Sequence, residues 1–169
     1  MTNQELIVYL LPFVFIIHDF EEIIGYHNWF RKHAEWLKQK WPRMDKFITH
    51  FQNLPTASFA IGVLEEFLII SLITIHALLF HWYYAWIAVF TAFTFHIIMH
   101  VIQWCIIRKY IPVIITSLLS VPYLVWGLKE IFSSYHITEI IICFLIGVIV
   151  AILNLLLIHR IIPQFGTHG

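Results

Sequence analysis

The chain has 169 residues, 60% of them hydrophobic, 17% aromatic and only 12% charged. A soluble domain carries about a quarter charged residues, so this composition excludes a soluble globular enzyme and indicates lipid as the solvent. Ten basic residues balance ten acidic ones, which leaves no electrostatic footprint for nucleic acid, and two cysteines make neither a disulfide framework nor a zinc ribbon.

A spanning helix needs about 20 mostly apolar residues. Five runs qualify, at about 5–26, 54–80, 82–107, 110–128 and 135–162. The first reads as a retained span and not as a cleaved signal, because no Lys or Arg precedes it and Asp19, Glu21 and Glu22 interrupt it. The polar stretch 27–53 follows. In it Trp29, Phe30, His33, Trp36, Leu37 and Trp41 recur at helical spacing among basic residues, which predicts a basic amphipathic helix on the membrane surface. Such a helix is either a lid that gathers lipid over a site or an ordinary charged loop. The fourth run has no ionisable residue before Lys129 and reads as scaffold or as the wall of a lipid-facing entrance.

The remaining connections are short, so successive helices are expected as antiparallel neighbours in one domain over 1–169. An outside N-terminus puts Arg31, Lys32, Lys38, Lys40, Arg43, Lys46, Arg108, Lys109 and Arg160 on the cytoplasmic side and only Lys129 opposite them. The expected fold is an all-α integral membrane bundle of five transmembrane helices, N-out and C-in.

Half of the ten acids (Asp19, Glu21, Glu22, Glu65 and Glu66) fall inside the apparent spans. A charge at the bilayer centre costs at least about 2.5 kcal/mol, so such groups normally face the bundle interior, find partners and mark function. His18, Glu21 and Glu22 stand at i, i+3 and i+4 on the first helix. His96, His100 and Gln103 stand at i, i+4 and i+7 on the third, and Asn154 adds an amide to the fifth. Counted back from one membrane face, His18, Glu65, His96, His100 and Asn154 are about 7–11 residues deep, or roughly 10–17 Å at 1.5 Å per residue. Four helices thus bring polar groups to one layer. Asp19 turns off the His18 stripe, and Glu66 is offset in the same way from Glu65. His76 and His81 read as structural, and His27, His33, His50, His136, His159 and His168 as interfacial.

Imidazoles and carboxylates gathered in a dry layer suit a divalent transition metal, zinc or iron ahead of manganese. The candidate ligands are His18, Glu21, Glu22, Glu65, His96 and His100. Six exceed the three or four that one catalytic zinc needs, so a dinuclear centre bridged by Glu21 or Glu22 and Glu65 is a further expectation.

His18-Asp19-Phe20-Glu21-Glu22 resembles the motif that names the HXXEE family of small bacterial membrane proteins. The Glu65-Glu66 pair and the run from His96 through His100 to Gln103 resemble the rest of its pattern, from the first span to the fifth. The resemblance implies a membrane protein of largely uncharacterised function, in keeping with an enzyme, and supplies no substrate. Membrane desaturases are similar in their paired histidines but use several more of them. Intramembrane CAAX-type proteases also combine a Glu pair with later histidines, but with an Arg four residues after the pair, which this chain lacks. Sterol isomerases of the emopamil-binding type resemble it in having five spans with His and Glu in a cavity, and they work without metal.

The expected function is a metal-dependent, hydrolase-type enzyme of the bacterial cytoplasmic membrane, acting on a lipid-like or amphipathic substrate among membrane lipids. Glu22 would be general acid and base, with Gln103 and Asn154 orienting water or substrate. A di-iron oxidoreductase at the same site, a metal-free His/Glu isomerase and an ion or proton carrier are the rival readings.

Overall fold

A computed structural model describes residues 2–161 as an all-helical chain. Six α-helices follow in order: α1 (Asn3–Lys40), α2 (Asp45–Asn53), α3 (Thr56–Phe80), α4 (Tyr84–Ile107), α5 (Ile114–Ser134) and α6 (Ile137–Ile161). The expected end of the last span at 162, and His168, lie outside the described residues.

Helix α1 begins at a capping box. The Glu5 N–H donates to Thr2 Oγ1 at 3.2 Å, and the Thr2 N–H donates to Glu5 Oε2 at 2.8 Å. It then runs for 38 residues, a rod of about 57 Å at 1.5 Å per residue. The change from apolar to polar composition near residue 26 does not interrupt it, because nothing there removes a backbone donor or forbids helical dihedrals. The stop comes at Trp41-Pro42. A residue before proline is driven out of the α region, and Trp41 sits at φ −131°, ψ 73°. A 3₁₀ turn over Pro42–Met44 reverses the chain into α2.

The stretch 27–53 is therefore not one independent surface helix. Its first half is the end of α1 and its second half is α2, folded back against it. Trp29, Phe30, Ala34 and Leu37 are buried together with Ile48 of α2 and with Ile107, Ile111, Val113 and Ile114 around the α4–α5 link. The Trp29 indole N–H donates to the Tyr110 carbonyl at 2.7 Å, tying this small core to the same link.

Four helices are long and apolar enough to cross a membrane: Thr56–Phe80, Tyr84–Ile107, Ile114–Ser134 and Ile137–Ile158. That is the composition of an integral membrane protein. Helix α1, whose apolar half is interrupted by Asp19, Glu21 and Glu22, is not in this set.

The main core is built on α1 and α4. Ile7, Val8, Leu11 and Phe15 of α1 meet Trp86, Ile87, Phe90, Phe93 and Ile97 of α4, with Val63 and Ile70 of α3 and Leu124 and Ile131 of α5 closing around them. Helix α1 also packs along α3 and α5, and α4 along α6 and α5. The α4–α6 seat depends on a missing side chain, since a Cβ at Gly147 would run into the Ala88 carbonyl. Outward positions of α3 and α6 such as Leu68, Leu72, Ile149 and Leu153 are exposed, as suits helices bathed in lipid.

Candidate metal centre

The polar layer lies where α1 and α4 face one another, just beyond the edge contact of Phe15 with Phe93 (centroids 5.8 Å). Residues four apart share a helix face, so the face of α1 that buries Leu11 and Phe15 continues into His18 and Glu22. On α4 the same periodicity carries Phe93 and Ile97 on to His96 and His100. His18 is fully buried, Glu22 and His100 nearly so, and His96 half-buried.

These four side chains converge. One ligand atom from each of His18, Glu22, His96 and His100 lies within 4.8 Å of all the others. His100 Nε2 stands 2.9 Å from His96 Nε2 and 3.0 Å from Glu22 Oε1. The His18 ring centroid is 5.4 Å from that of His96 and 5.3 Å from that of His100.

The chemistry of this donor set fits a cation. Two imidazole nitrogens that both present lone pairs repel at hydrogen-bond distance unless a proton or a metal lies between them. His18 Nε2 is buried and finds no hydrogen-bond partner among the described residues, an expensive state for a polar atom unless something binds it. A tetrahedral ion with bonds of about 2.0–2.1 Å holds its ligand atoms roughly 3.3–3.4 Å apart. The four atoms, all within 4.8 Å of one another, are gathered close to that spacing. The group can therefore hold a metal ion.

The structure places the other predicted residues elsewhere. Glu21 turns away from the group toward α5. Its Oε2 accepts from the Thr116 hydroxyl at 2.6 Å and from the Thr116 N–H at 2.8 Å, and its Oε1 accepts from the Tyr110 hydroxyl at 2.9 Å. Glu65 accepts a hydrogen bond from Asn154 Nδ2 of α6 at 2.9 Å, so both residues form a tie between α3 and α6. Neither glutamate is among the four converging residues, and the bridging roles expected of them have no counterpart in this geometry. The reason is angular: consecutive helical residues point about 100° apart, so Glu21 and Glu22 reach different neighbours. Gln103 stands behind His100, its Oε1 3.4 Å from His100 Nδ1, and does not enter the centre.

Two carboxyls set aside on spacing lie close by. Asp19 is buried, with Oδ1 unpartnered among the described residues, and lies near Glu22 and Glu66. Glu66 feels the charge of Glu22 as well as that of its neighbour Glu65.

Thr116 is the residue that sequence reasoning missed. Helix α5 is more than scaffold, because Thr116 Oγ1 stands 3.1 Å from His18 Nδ1. A hydroxyl in an apolar helix usually bonds back to its own backbone, as Ser117 does to the Val113 carbonyl (2.6 Å) and Ser120 to the Thr116 carbonyl (2.8 Å). Nothing in the sequence distinguishes Thr116 from these two.

The family model described as a protein of unknown function with HXXEE motif matches residues 9–127, well over half of the chain. The chain belongs to that family. No curated protein and no solved structure matches it.

Proposed function

We propose that this protein is a membrane-embedded metalloenzyme in which His18, His96 and His100 hold one divalent transition metal and Glu22 serves as the adjoining base. The observation that carries the reading is the convergence of three imidazoles and one carboxylate within 4.8 Å in a buried layer. A structural tie between helices is a poor alternative, since apolar side chains usually hold helices together at lower cost than buried ionisable ones. One metal fits better than two, because Glu21 and Glu65 are engaged with Thr116 and Asn154. The donor set favours zinc or iron.

A metal held by His18, His96 and His100 would supply Lewis acidity that activates water near neutral pH. The residues of the chain do the rest. Glu22, buried against α4, is placed to take the proton of the attacking water and to return it to the leaving group, so that one water is consumed per bond cleaved. Gln103 backs the His100 ring. His96, the most open member, marks the side from which an amphipathic substrate with a hydrolysable bond arrives. The apolar outer faces of α3 and α6 suit delivery through the bilayer.

On this reading the apolar half of α1 is a fifth span, and the protein sits in a bacterial cytoplasmic membrane with its N-terminus outside. The gathering of basic residues at one end supports that orientation. Lys40 and Lys109 both stand over the Trp36 ring, at 5.1 and 3.9 Å from its centroid, in the pattern of a cytoplasmic interface.

Elemental analysis of protein purified after metal-replete expression tests the proposal. One equivalent of zinc or iron in the wild type, lost in the His96→Ala/His100→Ala variant, is the expected result. Wild type without transition metal overturns it and favours the metal-free isomerase. Metal flux into liposomes that Glu22→Gln abolishes would indicate a carrier instead.

A further inference from the structure

The two glutamates of the motif do different work. We infer that Glu21, acting through Thr116, is a positioning residue that holds the His18 proton on Nδ1 and so leaves Nε2 bare toward the metal. This rests on the metal reading of the His18–Glu22–His96–His100 group.

Thr116 Oγ1 has one hydrogen to donate, and four oxygens or nitrogens lie within reach. Glu21 Oε2 is nearest at 2.6 Å, against 3.4 Å to the Val113 carbonyl and 3.5 Å to the His18 carbonyl. A hydrogen bond to a carboxylate is also the stronger one. The hydroxyl proton therefore goes to Glu21, and the oxygen is left as an acceptor facing His18 Nδ1 at 3.1 Å. Only an imidazole carrying its hydrogen on Nδ1 satisfies that contact. A neutral ring has one N–H, so Nε2 is bare, and this is the same atom that is buried without a partner.

Glu21 is itself immobilised. The Thr116 N–H and the Tyr110 hydroxyl occupy its oxygens at 2.8 and 2.9 Å, so it holds the threonine rotamer and does not swing into the centre. Carboxylate, hydroxyl and imidazole thus form a chain leading away from the candidate ligand atom. Outer partners of this kind orient ligand histidines and raise their basicity. Gln103 makes a longer version of the same contact on His100 Nδ1, at 3.4 Å. The i, i+3, i+4 spacing of His18, Glu21 and Glu22 has a physical reason on this account. The i+4 carboxylate joins His18 at the centre, and the i+3 carboxylate, turned to the other side, braces it through Thr116 of α5.

The test combines Thr116→Val, which removes the hydroxyl at constant shape, Thr116→Ser, which restores it, and Glu21→Gln. Zinc affinity is read by chelator competition, the site geometry by the visible absorption of the Co(II)-substituted protein, and the tautomer by ¹⁵N NMR of imidazole-labelled metal-free protein, with His18 assigned by substitution. The expected result is zinc binding weakened by about 10–100-fold in Thr116→Val and Glu21→Gln, an altered Co(II) spectrum, and recovery of both in Thr116→Ser. The wild-type His18 resonances should report hydrogen on Nδ1, and Thr116→Val should lose that preference. Wild-type zinc affinity in Thr116→Val, with binding abolished in His96→Ala/His100→Ala, overturns the brace and leaves the metal site standing. If wild type binds no metal, the metal reading fails. A His18 signal with hydrogen on Nε2 overturns the brace whether or not metal binds. Should Glu21→Gln fail to fold, the valine–serine pair at 116 decides alone.

Discussion

Glu21-Glu22 on α1 and Glu65-Glu66 on α3 are the same dipeptide set in apolar helices, yet their surroundings divide them differently. On α1, Glu22 meets His100 at 3.0 Å while Glu21 is anchored by three donors from Tyr110 and Thr116. On α3, Asn154 of α6 donates to Glu65 and interacts with Glu66 as well, and Glu66 also feels the charges of Glu65 and Glu22. The first pair stands where three packed helices supply imidazoles on one side and hydroxyls on the other. The second stands on α3, where its neighbours are an amide and other carboxyls and no imidazole is among its partners in the described residues. An acid in such a helix is thus specified by what the adjoining helices offer at its depth and angle, and the dipeptide alone does not say which.

The largest effect that separates the pairs is expected in metal binding. Glu22→Gln, which removes the carboxylate beside His100, should weaken zinc binding by about 10–100-fold, whereas Glu65→Gln should leave it unchanged. Equal losses by competition titration would erase the distinction. Next comes the seat of α6, which brings Asn154 to Glu65. Gly147→Ala forces a methyl against the Ala88 carbonyl and should destabilise the bundle by about 1–3 kcal/mol, read by thermal unfolding in detergent. Asn154→Leu removes the tie itself. It should cost about 0.6–1.7 kcal/mol, the range for interhelical hydrogen bonds in membranes, with zinc affinity intact. A loss of metal there would return Glu65 to the centre. The smallest change is expected far from both pairs, where Lys109→Ala removes the cation over Trp36 (3.9 Å). About 0.5–1 kcal/mol at most is at stake there, and metal content should not move.

Much of the candidate centre is legible without coordinates. His18 with Glu22, and His96 with His100, share helix faces by their spacing alone, and their common depth follows from counting residues. Glu21 was not separable from Glu22 in this way, because i+3 and i+4 lie on either side of the same stripe and the choice between them belongs to α5. Asp19 looked misplaced relative to His18, yet the packing of α3 on α1 buries it beside Glu66. Thr116 carried no signal, since its hydroxyl is chemically ordinary until a carboxylate arrives within reach. Within α1 the polar stretch after residue 26 suggested a new element, although composition does not end a helix and Pro42 does.

The sequence by itself determined the solvent, the helical architecture, the family and the two histidine-bearing faces, because hydropathy and the 3.6-residue period act locally and need no partner. Only the tertiary structure decided that Glu22 joins the imidazoles, that Glu21 bonds to Thr116 and Tyr110 instead, and that α5 takes part. Those outcomes depend on distances of about 3 Å between helices remote in the chain, where a hydrogen bond forms or fails over a few tenths of an ångström and a single step along a helix turns a side chain to a different neighbour.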